Sequence, residues 1–480
     1  MGQNFDKTEF LKADYLAFNQ KLHKQLDELR ELLELGLVNE GSTSIGAELE
    51  MYIVDHNLLP APLNQTLLSD LNNPLLQEEI NQYNLEFNLA PVDTEGTPFS
   101  GMEQQLNTTL SQIQKAASQY QAQVVPIGIL PTLSQQHLKN DYMTPLPRYQ
   151  VLDRELAKLK GSDFNINING LDSIQTSCKQ VTLEGANTSF QLHLKVPSNE
   201  FKNWFNAAQL ITPLVTAIAA NSPIFLGKCL WHETRVALFK QSIDCRSDDE
   251  FMWRKPARVN FGQGWVRDNA WELFAENVSI FPPIIPLLGE QSFAELNLHH
   301  GTVWNWNRAV FQPGEDAHLR IEYRSLPAGP TVKDMMANSA LAIGLTSYMQ
   351  KHINQYIARL PFKYAEYNFY RAAQFGINSK LIWPQLNQIE LQEHNTTEIL
   401  TSLLPNAIQG LVNLGIEQQE ADELISIIKQ RLEKNQNGAT WQLQKYQQLK
   451  QTLDEKTALN TMLDMYIKNV QKGKPVATWP

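Results

Sequence analysis

Residues 43–55 read T-S-I-G-A-E-L-E-M-Y-I-V-D, and the fold turns on that stretch. Ile45, Ala47, Leu49, Met51 and Ile53 are apolar, while Gly46, Glu48 and Glu50 between them are not. A period of two predicts a β-strand with one apolar face. Asp55-His56-Asn57 supplies turn formers at its end. The same period sets Glu48 and Glu50 side by side on the other face. Adjacent carboxylates repel unless solvent or a cation intervenes. A solvated strand face meets that demand, and so does a divalent-metal site built on a sheet.

Working outward, three more stretches alternate in the same way. In residues 84–89, Leu85, Phe87 and Leu89 oppose Asn84, Glu86 and Asn88. In 189–196, Phe190, Leu192, Leu194 and Val196 oppose Gln191, His193 and Lys195. In 318–324, Leu319, Ile321 and Tyr323 oppose His318, Arg320, Glu322 and Arg324. A further strand is expected over 124–130, at an edge because of Pro126. Helices are expected over 8–35, stopped by Gly36, from about Gly101, near 151–160, over 201–220 and from Val332. Residues 131–188 read otherwise as loops, with an Asn-rich alternation at 165–169 that is hard to place. Residues 251–310, rich in Trp, Arg, Asn and Gly, read as pocket-lining loops. Past 381, Gln, Asn, Leu and Lys dominate, and a helical pattern takes over. The division expected is an N-terminal helix (1–40), a catalytic domain (41–380) and a helical C-terminal extension (381–480).

Composition narrows the function classes. A net charge of −11 argues against a nucleic-acid surface. Three cysteines without metal or redox spacing suit a reducing cytoplasm. No signal-peptide pattern opens the chain, and Asp6 stands where a myristoylation site needs Ser or Thr. The longest apolar run, 207–226, is broken by Gln209, Pro213, Asn221 and Pro223. That reads as a core helix rather than a membrane span.

Taken singly, the polar strand faces are ordinary: a lone His or Glu is usually hydrogen-bonded or solvated, and an Arg-Glu-Arg row is often a surface ladder. If the four strands share a sheet, Glu48, Glu50, Glu86, Glu322 and His193 converge and need positive charge between them. Mg²⁺ or Mn²⁺ suits oxygen donors with an occasional His, whereas zinc favours Cys and His. Arginines beside such a cluster suit phosphate and carboxylate oxygens. No P-loop, G-x-S-x-G or H-E-x-x-H pattern occurs.

These segments resemble the glutamate–cysteine ligase type 2 family of carboxylate–amine ligases. The matching stretches are Ile45–Glu50, Leu85–Asn88, Phe190–Leu194, Ala219–Pro223, Glu233-Thr234-Arg235, Arg320–Arg324 and Ala328–Thr331, in family order. The resemblance implies an α+β fold: a curved antiparallel sheet forming a funnel, backed by helices, as in glutamine synthetase. It implies Glu48, Glu50, Glu86, His193 and Glu322 as ligands of two or three Mg²⁺ ions. It also implies Arg235, Arg308 and Arg324 as holders of phosphate or substrate carboxylate. Gln191 and Arg320 are added on the nucleotide side from strand geometry. Lys195 and Val196 depart from the family's small residues after the histidine.

The expected activity is ATP- and Mg²⁺-dependent formation of a γ-glutamyl amide through an acyl phosphate, with cysteine the leading amine, as in glutathione biosynthesis. The partners would be small molecules, glutamate and an amine, with no nucleic acid or membrane; a homo-oligomer is open. Alternatives are another amine or a protein acceptor, a non-catalytic nucleotide- or glutamate-binding regulator, and a metal-dependent hydrolase.

Overall fold

In a computed structural model, described for residues 7–38, 42–247, 255–385 and 390–480, the alternating stretches become one sheet. Its strands are β1 (Ser44–Asp55), β2 (Leu76–Glu78), β3 (Asn84–Asn88), β4 (Val92–Asp93), β5 (Ala122–Val125), β6 (Phe190–Val196), β7 (Asn307–Gln312) and β8 (His318–Tyr323). The order β7-β8-β6-β1-β3-β2 is antiparallel throughout, with β4 and β5 also pairing to β1. β1 is long enough to pair with four neighbours, so it sits at the middle of the sheet. Its burial alternates as its sequence does: Ile45, Leu49, Met51 and Ile53 are fully buried, Glu48 and Glu50 only partly.

The apolar face packs on helices. Phe201–Ala219 is buried along almost its whole length and lies against Val332–Met349. Burial of nearly every position explains why that stretch is apolar along almost its whole length. No helix among the described residues is long and apolar enough to cross a membrane. Val332–Met349 opens with a capping box, Thr331 Oγ1 accepting from the Asp334 amide at 3.1 Å; such a cap contributes about 1 kcal/mol. Just before it, Gly329 has φ +76°, and a Cβ there would lie 2.3 Å from the Pro126 carbonyl oxygen. Only glycine fits.

Helices Thr396–Asn413, Gln418–Lys434, Gly438–Leu449 and Glu455–Gln471 follow late in the chain. The first two share the main core. Arg431 and Asp334, both fully buried, pair at 2.8 Å. The last two close over Asn221, where Gln442 and Tyr466 each hold the Asn221 amide. A Cβ on Gly438 would lie 2.0 Å from Asn221 Oδ1, so the approach needs glycine.

Several expected elements differ. The strand expected over 124–130 is Ala122–Val125: it ends where Pro126 removes a ladder donor. The expected loops of 131–188 contain a hairpin, Phe164–Asn169 with Ser173–Cys178, whose inward residues are Phe164, Ile166 and Ile168. Its outward asparagines masked the pattern. The expected loops of 251–310 contain helices Trp271–Ile280 and Ala294–Gly301 and the start of β7. A hairpin, Lys380–Trp383 with Gln392–Asn395, precedes the C-terminal helices. Residues 248–254, part of the Trp-rich stretch, lie outside the described residues, as do 1–6, 39–41 and 386–389.

Candidate active site

Residues directly paired in an antiparallel sheet stand side by side on one face. The register therefore writes the site as three rows. Arg308, Glu322, His193 and Gly46 form the first. Gln191, Glu48 and Asn88 form the second. Glu50, Glu86 and Gln77 form the third. Successive rows are two residues apart on each strand, so all three share the face opposite the core.

Two clusters result. Glu48, His193 and Glu322 each offer a ligand atom within 4.8 Å of the others, as do Glu50, Glu79 and Glu86. His193 Nε2 is 3.3 Å from Glu322 and 3.5 Å from Glu48. Arg308 grips Glu322 with two nitrogens, at 2.6 and 3.1 Å. Arg324 bonds the Gln191 oxygen and stands 3.3 Å from Glu322. Gln191 in turn donates to Glu50 at 3.0 Å, and the Ser189 amide does so at 2.7 Å. Glu48, Glu50, Glu79, Glu86, Gln191, Arg308 and Arg324 line a cavity of about 530 Å³ together with Ile285, Leu287, Leu298 and Trp304, while His193 and Glu322 do not line it themselves.

The electrostatics of the two clusters diverge. Burial alone would raise Glu322, but Arg308 and Arg324 outweigh it and hold the carboxyl well below the usual range. Burial pushes Glu86 well up, and the charges of Glu48, Glu79 and Glu50 add to it. Burial also raises Glu50, against Arg235 and Arg324. Glu79 is pushed up to about 8 by burial and by Glu50 and Glu184.

Of the residues expected from sequence, Glu48, Glu50, Glu86, His193, Glu322, Arg308, Arg324 and Gln191 come together. Arg320 shares the face but stands one row further out, opposite Lys195, and does not line the cavity. Arg235 lies behind the site on helix Thr234–Ser242. Its guanidinium bonds Glu233 and the carbonyls of Ser325 and Arg324. Sequence reading missed Glu79, Glu184 and Arg148, all on the cavity wall. β2 is three residues long, too short to display a period; Glu184 sits on a 3-10 turn, Val181–Ala186.

Residues 44–270 match the model of glutamate-cysteine ligase family 2. That span holds five of the eight converging residues, Glu48, Glu50, Glu86, Gln191 and His193, but not Glu322, Arg308 or Arg324. No curated protein matches the chain in sequence. Among solved structures, the chain is similar to a glutamate–cysteine ligase from Francisella tularensis in complex with AMP, at 11% identity and TM-score 0.52, covering 90% of each chain. It is also similar to a bifunctional glutathione synthetase from Pasteurella multocida, at 10% identity and TM-score 0.52. There 95% of this chain covers 55% of that one, so it spans about half that enzyme's length. At such identities the likeness is one of fold: the curled antiparallel sheet with helices behind it that the resemblance implied.

Proposed function

We propose that this ATP-dependent carbon–nitrogen ligase activates the side-chain carboxylate of glutamate and passes the acyl group to an amine, with cysteine the leading candidate. One observation carries the reading: two acid clusters, built from segments far apart in sequence, meet on one sheet face beside a cavity that Glu48, Glu50, Glu79, Glu86, Arg308 and Arg324 line. The donor set fits Mg²⁺, and Mn²⁺ as a substitute, because it is carboxylate oxygen with a single imidazole. His193 Nε2 is buried and lacks a hydrogen-bond partner, as an atom reserved for a cation would. Glu48, His193 and Glu322 would hold one ion, and Glu50, Glu79 and Glu86 another. Bound there, the ions neutralise phosphate charge.

The chemistry then falls to position. A glutamate carboxylate oxygen attacks the γ-phosphorus of ATP, the bond to ADP breaks, and an acyl phosphate forms. The amine nitrogen attacks the acyl carbon, the bond to phosphate breaks, and the nitrogen gives up a proton. Arg308 and Arg324 flank the cluster that would face the phosphates, and their guanidinium groups suit its oxygens. Ile285, Leu287, Leu298 and Trp304 give the cavity an apolar wall, which suits the exclusion of water from an acyl phosphate. A cavity of about 530 Å³ is of the size small substrates occupy.

The test is ADP release in Mg²⁺, ATP and glutamate, with single amines added in turn. Stimulation by cysteine supports the full reading. Stimulation by a different amine replaces cysteine with that amine. No ADP release with any free amine overturns the small-amine reading.

A further inference from the structure

The cavity wall carries a third arginine that neither cluster uses, Arg148, near the start of helix Pro147–Lys160. Arg308 and Arg324, the other arginines on the wall, are already bonded to Glu322 and Gln191. Arg148 is 8% exposed. Its Nη2 donates to the Glu78 carbonyl at 3.1 Å and to the Tyr149 hydroxyl at 2.8 Å. The Glu78 carboxylate forms an ion pair with the same nitrogen at 3.6 Å, beyond hydrogen-bond reach. Among the described residues, nothing accepts from Nε, which is buried. A desolvated guanidinium with donors to spare suits an incoming carboxylate.

The matching acid is Glu184. It lines the same cavity but belongs to neither cluster. Its carboxylate feels Glu50, Arg324 and Arg235, and both arginines are engaged elsewhere. The turn that carries it is fixed from several sides. Asn81 donates to the Thr182 carbonyl at 2.9 Å, Tyr52 to the Ala186 carbonyl at 2.6 Å, and Asn187 to the Glu184 carbonyl at 2.8 Å. The Val181 amide donates to Asp153 at 2.8 Å, which ties the turn that carries Glu184 to the helix that carries Arg148, both on the wall of the one cavity.

We infer that Arg148 and Glu184 form a cradle for the head of an α-amino acid, Arg148 taking its carboxylate and Glu184 its ammonium. The inference rests on the functional reading above: the amino acid is the glutamate whose side chain reaches the clusters.

Two analogues probe the two halves. Glutarate lacks the ammonium, and 4-aminobutanoate lacks the α-carboxylate. Glutamate, glutarate and 4-aminobutanoate are compared by calorimetric binding with Mg²⁺ and a non-hydrolysable ATP analogue, and by KM in ADP release. A site built around a charged hydrogen bond rejects the analogue lacking it, so Glu184→Gln should narrow the preference for glutamate over glutarate about tenfold or more. Arg148→Met should narrow the preference over 4-aminobutanoate to a similar extent, with Arg148→Lys intermediate, and KM for ATP should stay within about twofold in all three. Thermal unfolding of each variant separates misfolding from lost recognition; an active, folded Glu184→Gln that discriminates as the parent does overturns the cradle. If the parent chain turns over no glutamate, the functional reading fails and takes the cradle with it. If the parent is active and only the variants behave as the parent, the cradle alone fails.

Discussion

The two clusters stand side by side on one sheet face, yet their carboxylates are driven in opposite directions. Arg308 and Arg324 pair with Glu322 and outweigh its burial, favouring the ionised carboxylate. Glu86 has acids for neighbours and is pushed toward its protonated form by burial and by their charge. The first cluster brings its own positive charge. The second waits for charge from outside. Under the function proposed above, the first cluster would meet anionic phosphate and the second a cation that offsets its crowded acids.

That contrast can be broken in order of expected effect. In the arginine-rich cluster, Glu322→Ala or Glu48→Ala should abolish ATP turnover, a loss on the order of 10³-fold or more, because a shared ligand and the anchor of two arginines disappear together. Circular dichroism should stay native. Full ADP release in both variants would remove the metal assignment. In the arginine-poor cluster, Glu86→Gln or Glu79→Gln should weaken Mg²⁺ activation by about 10–100-fold while leaving activity at saturating Mg²⁺ measurable. Equal loss in both clusters would erase the distinction.

The smallest effect is on stability. Glu79 moves from an ordinary 4.5 to about 8 in the folded chain, and Glu184 does the same. An acid raised on folding binds its proton more tightly in the folded state. Its stabilisation is present below about pH 4.5 and is lost as pH climbs toward about 8. In EDTA the melting temperature should therefore fall by a few degrees between about pH 5 and pH 8. Mg²⁺ should restore it, and Glu79→Gln should flatten the slope. A flat profile in EDTA for the parent would contradict the raised acid.

The first of these predictions was legible in sequence, and the second only in part. β1, β3, β6 and β8 each run five residues or more with one face in the core, so the period of two exposes Glu48, Glu50, Glu86, His193 and Glu322. Arg308 was reached through the family resemblance, because β7 lies in a stretch whose tryptophans and asparagines hide its period. Glu79 had no such route. It follows a three-residue strand in a run of acids and amides, and only the fold brings it beside Glu50 and Glu86. Arg148 and Glu184 are further examples: helix and turn residues reach the cavity through chain paths that no local pattern records. Trp304 reaches the cavity, whereas Trp265 and Trp271 bond the carbonyls of Leu360 and Leu26, so only part of the Trp-rich stretch meets its expected role.

The clamp on Asn221 has a consequence for how such a molecule comes into being. Asn221 adjoins Ser222, which with the Asn221 amide holds Glu233, and Glu233 holds Arg235 behind the site. The residues that grip Asn221 are Gly438, Gln442 and Tyr466. A ribosome delivers all the acids and arginines of both clusters long before it delivers these. The nascent chain therefore gains its candidate ligands early and this bracing late, and a product stalled near residue 436 holds those groups without the grip that steadies the turn beneath them.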